Sequence, residues 1–187
     1  MKAADGGTAI DQLGLTVGDL LTIDGNRGAY NGSPQLTNGK YVAHEDREEP
    51  KPDVPEGSTL AELVMSDLGL ANSASVANKE IKVDDNVTLV FKQGTAGTAP
   101  AYYDSGAAIR MYQNGATLDV TANGHTIKSI EITFAQSHYY VKADSGELSA
   151  EAAVRTWTGS AEAVKFTSTG TDKNHRAYVS AIKVIYE

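Results

Sequence analysis

At 187 residues the chain can form one domain or two small ones, and the absence of cysteine excludes disulfides, thiolate catalysis and Cys-ligated zinc. Its 16 Lys and Arg against 24 Asp and Glu leave a net charge of −8, and the basic residues are scattered. A phosphate-binding face needs clustered cations, so nucleic acid is not an expected partner. Hydrophobic residues at 41% and charged residues at 21% fit a folded chain, and no apolar run is long enough to span a bilayer.

Residues 15–43 read as a compact β segment. Val17-Gly-Asp-Leu-Leu-Thr-Ile-Asp-Gly25 is a strand bounded by glycines, and Gly28 to Pro34 is a dense turn signal. Gln35 to Val42 supplies another short strand, in which Asn38-Gly39 is suited to a type I′ hairpin turn. The apolar inventory of this segment is thin, so it is expected to be ordered by strand pairing with another chain or domain. Residues 44–58 hold three of the five prolines and a block of mixed charge, which predicts a solvated linker.

Thr59-Leu-Ala-Glu62 has the spacing of a capping box, and Leu60, Leu63, Val64 and Leu68 recur at helical intervals. This predicts one short helix over 59–68. Strands follow. Val87, Leu89 and Phe91 alternate with Thr88 and Lys92, Leu118 and Val120 with Thr117, Asp119 and Thr121, and Ile130, Ile132 and Phe134 with Ser129, Glu131 and Thr133, a pattern that Val164 and Phe166 repeat. The run from Tyr178 to Tyr186 is apolar on both faces and suits a central strand. Turn signals stand at Asn114-Gly115, Asn123-Gly124, Ser145-Gly146 and Gly170. The expected fold is all-β, an antiparallel, jelly-roll-like sandwich over 59–187 with one short helix, preceded by a partial β segment over 1–43.

The candidate binding residues are Tyr102, Tyr103, Arg110 and Tyr112. On a strand through 108–112, Arg110 and Tyr112 share one face while Ile109 and Met111 share the other. Aromatic rings stack on the apolar faces of sugars, and a guanidinium fork satisfies hydroxyls or a carboxylate. The competing reading has the tyrosines plugging the sandwich end and Arg110 capping carbonyls. Trp157, the only tryptophan, is either a stacking platform or the cover of an open core end, and Asn174-His175-Arg176 sits where topology could bring it to the same rim. His44, His125, His138 and His175 lack metal-binding spacing and are expected to be exposed. Asp84 and Asp85 lie in a turn of the kind that sometimes holds structural calcium, although turn formation alone accounts for them. No hydrolase, metalloprotease, Walker or dinucleotide pattern occurs, so an enzyme is not expected.

Two stretches resemble known families. Gly18-Asp-Leu-Leu-Thr-Ile-Asp-Gly-Asn-Arg-Gly-Ala-Tyr-Asn-Gly-Ser-Pro-Gln-Leu-Thr-Asn-Gly-Lys-Tyr41 is similar to the last strands of OB-fold-like domains in secreted lipoproteins of anaerobic gut bacteria. Residues 59–187 resemble a C-terminal sandwich domain of the same proteins. The landmarks are Phe91-Lys-Gln-Gly94, Ala99-Pro-Ala-Tyr-Tyr-Asp-Ser-Gly106, Ala108-Ile-Arg-Met-Tyr112, Thr126 to Phe134 and Trp157-Thr-Gly. The resemblance implies an adhesion-like or carbohydrate-binding-like module at an extracellular or bacterial outer surface, with a glycan or a cell-surface protein as partner. The rival is a structural spacer or assembly domain. Met1-Lys-Ala-Ala-Asp5 has no apolar signal core, so that location implies a signal, and any membrane anchor, outside these residues.

Overall fold

The structure, a computed structural model, describes residues 2–3, 20–31, 33–45 and 54–187. The chain divides into two units, Met1–Asp53 and Val54–Glu187.

In the first unit, β1 (Lys2–Ala3) runs parallel to β3 (Ser33–Glu45), which pairs antiparallel with β2 (Leu20–Tyr30). Tyr30 pairs with Ser33, and Asn31 takes φ 48°, so the hairpin reverses in the turn signal at 28–34. Asn38-Gly39 is not the turn that its composition predicts. It lies inside β3, where the register shifts between Asp24↔Lys40 and Asn26↔Thr37, and Asn38 takes φ 53°. The dipeptide makes a bulge because a longer ladder closes around a turn elsewhere, and a left-handed residue is what a bulge of this kind requires. Residues 17–19 of the predicted strand and 46–53 of the predicted linker lie outside the described residues.

The second unit is an all-β sandwich. One sheet runs β12 (Glu147–Leu148), β13 (Val154–Ala161), β10 (Ile127–Tyr139), β15 (Ala177–Tyr186), β8 (Ala108–Met111) and β7 (Ala101–Tyr103), with β4 (Thr59–Val64) also on β15. The other runs β11 (Val141–Ala143), β14 (Ala163–Ser168), β9 (Thr117–Ala122), β6 (Val87–Lys92) and β5 (Glu80–Lys82). Alternation puts Leu89, Phe91, Leu118, Val120 and Phe166 inward from one sheet and Ile109, Ile130, Ile132, Trp157, Ile182 and Val184 from the other. The last strand is central, with β10 along one side and β8 then β4 along the other.

The helix predicted over 59–68 is corrected. Thr59–Val64 is β4, in register with Tyr186–Ala181, and only Met65–Leu68 makes a 3-10 turn. Pairing with the covered flank of β15, which buries Ala61, outweighs a local capping signal.

Candidate functional site

The hairpin β7–β8 opens the site. Tyr103 pairs with Ala108, and the turn between them carries Gly106 at φ 91° and Ala107 at φ 45°. Arg110 lies two residues beyond Ala108, so it shares a face with Tyr103 as a diagonal neighbour. Its guanidinium carbon sits 3.9 Å from the Tyr103 ring centroid. Across the other edge of β8, Arg110 pairs directly with Tyr178, and the guanidinium carbon is 4.7 Å from that ring.

The same register, continued by two residues, sets Tyr112 opposite Arg176. The Arg176 guanidinium carbon is 4.8 Å from the Tyr112 ring, and its Nε donates to Gln113 Oε1 at 2.8 Å. The sequence therefore holds an Arg-x-Tyr pair twice, Arg110-Met-Tyr112 and Arg176-Ala-Tyr178, on antiparallel neighbours. Each arginine meets the tyrosine of the other pair. The hydroxyls of Tyr103 and Tyr112 share a hydrogen bond at 2.8 Å, which closes the cluster. Burial, then the bond to Tyr103, pushes the Tyr112 phenol up to about 12. It stays neutral, a hydroxyl, throughout the physiological range.

A bulge in β10 builds the far wall. Phe134 pairs with Val179 and Tyr139 with Ala177, so residues 135–138 face Tyr178 alone. Gln136 and Ser137 take φ 58° and 56°, a conformation that costs about 1 kcal/mol or more per non-glycine residue. The excursion lays His138 flat on Tyr178, with ring centroids 4.1 Å apart and planes 3° apart. His138 Nδ1 contacts the Gln136 carbonyl, and Gln136 Nε2 donates to Ser105 Oγ at 2.9 Å, joining the bulge to the β7–β8 turn. His138, Tyr178, Arg110 and Tyr103 thus form one continuous stack.

Of the predicted residues, the structure brings Tyr103, Arg110 and Tyr112 together, all half-buried. Tyr102 is corrected. It is 6% exposed and points into the core, because it alternates with Tyr103 and pairs with Ile109. Trp157 is corrected too: it is wholly buried, and its indole N–H donates to Ser145 O at 2.5 Å. Gly146 and Gly159 lie against the ring, leaving no room for a Cβ at either position. His175 is half-buried beside Asp172, with Nδ1 at 2.8 Å from the carboxylate, and meets the edge of Tyr140 rather than the stack. His125 packs edge-on against Tyr186, so neither it nor His138 is the exposed histidine expected. The side chain of His44 lies outside the described residues.

Asp84 closes the opposite end of the sandwich. Oδ1 accepts from the Asn86 and Val87 amides at 2.8 and 2.6 Å, and Oδ2 accepts from the Tyr186 hydroxyl at 2.8 Å. Both oxygens of the calcium candidate are engaged by turn and strand donors, and Asp85 beside it is exposed. Two hollows lie away from the stack. One of about 260 Å³ is lined by Asp119, Thr121, Asp144 and Lys165, and one of about 290 Å³ by Leu68, Leu70, Val76 and Ile81.

Sequence reasoning missed Tyr178 and His138 at the stack, and it reached Arg176 only as part of the 174–176 segment. The repeated Arg-x-Tyr was the available signal for Tyr178. It also missed Arg155, which is 6% exposed. Its guanidinium donates to Ser149 O at 2.7 and 3.1 Å, to Val141 O at 2.7 Å and to Tyr139 O at 3.2 Å. Desolvation lowers its pKa.

No protein-family model matches the chain, and no curated protein matches it.

Proposed function

We propose that the Val54–Glu187 unit is a non-catalytic binding module of a secreted or bacterial surface protein, with a glycan as the ligand class. The observation that carries the reading is the Arg–Tyr checkerboard on the outward side of the β7–β8–β15 surface. Phenol rings offer faces to the apolar side of a sugar, and guanidinium and hydroxyl groups offer donors to its oxygens. Two backbone segments in left-handed conformation, 106–107 and 136–137, border the cluster, and such strain gathers where a surface must hold a set geometry. The resemblance to sandwich domains of gut-bacterial lipoproteins points the same way.

The test is a glycan array probed with the whole chain, alongside Tyr103→Ala and Arg110→Ala, with folding checked by circular dichroism. Saturable binding to one glycan class, lost in both variants, is the expected result. A second reading, a spacer or assembly domain, draws on the long β2–β3 hairpin, where Val42 is 52% exposed. No glycan binding, together with concentration-dependent association in sedimentation that Val42→Lys abolishes, would favour it.

A further inference from the structure

Among the described residues, the two guanidinium groups of the checkerboard have no acidic counter-ion: no carboxylate oxygen lies within 4.0 Å of Arg110 or Arg176. Elsewhere in the unit lysines find partners, as in Lys92–Asp119 at 2.6 Å and Lys128–Glu187 at 2.5 Å. The carboxylate close in sequence to Arg176, Asp172, is engaged by His175 and by the Asn174 amide at 2.7 Å. In a chain of net charge −8, two uncompensated cations side by side on one face stand out. Arg110 Nε is in addition buried and has no hydrogen-bond partner among the described residues. The tyrosine rings stabilise the guanidinium planes by cation–π attraction but neutralise neither.

We infer that this face selects an acidic saccharide, with the ligand carboxylate neutralising Arg110 and Arg176 while a sugar ring stacks beside Tyr103 and Tyr112. The inference rests on the glycan-binding reading above and specifies its substrate class. The Arg110 guanidinium, held between the Tyr103 and Tyr178 rings, is pre-positioned, so little side-chain entropy is lost when it donates to a carboxylate. Tyr112, kept neutral by burial and by Tyr103, adds a hydroxyl and no negative charge. An acidic peptide could meet the same cations, but it has no ring face to stack on the phenols.

The test titrates the whole chain with polygalacturonate, alginate, hyaluronan and sialyllactose, against two neutral comparators, fully methyl-esterified polygalacturonate and lactose. Esterification keeps the ring and removes the charge. The expected result is binding of at least one acidic member, about tenfold or more tighter than its neutral comparator. That affinity falls at least tenfold in Arg110→Gln and in Arg176→Gln, and it weakens as salt rises. Arg176→Gln serves as the variant furthest from the core, and the ester comparison needs no variant at all. Equal binding of charged and neutral members overturns the acidic preference and leaves the glycan reading standing. Binding of acidic glycans that survives both substitutions overturns the placement. Failure of every acidic member while the array shows a neutral hit overturns the inference, as does tighter binding of polyglutamate than of any acidic glycan. Silence from the whole array removes the glycan reading itself.

Discussion

Replacing Arg155 by methionine should cost the sandwich about 3 kcal/mol, because this side chain does the work of a knot. Its guanidinium holds three carbonyls from separate places: Tyr139 at the end of β10, Val141 at the start of β11 and Ser149 after β12. Methionine keeps most of the stem but strips every donor. A charged hydrogen bond contributes about 1.5–3 kcal/mol, and a buried acceptor left unpaired costs about 1–3 kcal/mol. Against this stands the relief of no longer burying a cation, the cost visible in the lowered pKa of Arg155. The loss wins because three carbonyls remain behind while one charge leaves. Arg155→Lys should recover only part of it, since a single ammonium cannot span the three acceptors. The assay is urea unfolding followed by tryptophan emission, which reports the second unit alone because the only tryptophan, Trp157, is wholly buried in it. A shift of about 3 kcal/mol corresponds to a midpoint lower by roughly 1–2 M at m-values typical of such domains. A methionine variant within about 0.5 kcal/mol of the parent would refute the reasoning.

Other expectations follow from the same geometry. Gly146→Ala should destabilise by roughly 2 kcal/mol or more, since the residue holds φ 64° and an added Cβ would lie against the Trp157 indole and 2.6 Å from Thr158 O; the unfolding midpoint decides it. Burial alone would raise the Asp84 pKa, but the bonds from Tyr186, Val87 and Asn86 prevail and hold it below 3.8. Its stabilising effect is therefore present above the ordinary carboxylate pKa and lost as pH falls through the lowered value, so the stability gap between the parent and Asp84→Asn should be full at neutral pH and shrink below about pH 4. With the Tyr112 pKa raised to about 12, its contribution is full below about pH 10 and lost as pH climbs toward that value. Spectrophotometric titration of tyrosine ionisation should lose its latest step in Tyr112→Phe, and that step should move to lower pH in Tyr103→Phe.

The strands of the sandwich were legible because alternation is a local property: Leu89 and Phe91, Leu118 and Val120, Ile130 and Ile132 each declare a buried face within a few residues. The face shared by Arg110 and Tyr112 was legible for the same reason. Arg-x-Tyr recurs at 176–178, but that the two copies meet depends on a register set between β8 and β15, far apart in sequence, which no local pattern carries. At Thr59–Val64 a capping spacing pointed to a helix, and a partner strand decided otherwise. Of the two readings of Trp157, stacking platform or cover of a core end, the fold takes the second. In the fold, Gly159 and Gly146 are small so that the ring can be enclosed. Asn38-Gly39 was sound as a left-handed signal and wrong as a turn, since bulges and hairpins ask the same of the backbone.

The checkerboard owes its definition to the strand that carries half of it. β15 is hydrogen-bonded on both sides, with β10 on one flank and β8 and β4 on the other. Its inward residues Val179, Ile182 and Val184 are fixed in the core. Tyr178 is left only 4% exposed, held between His138 and Arg110. An ordinary ladder would set one residue of β10 opposite it. The bulge at 135–138 instead frees a histidine to lie over the ring and sends Gln136 to the β7–β8 turn. The stack is thereby clamped from two loops, and for the glycan site proposed above a geometry that needs no rearrangement spends less of its contact energy on ordering itself. If that proposal holds, relaxing the bulge should weaken affinity for the glycan found on the array even where Arg110 and Tyr103 are untouched.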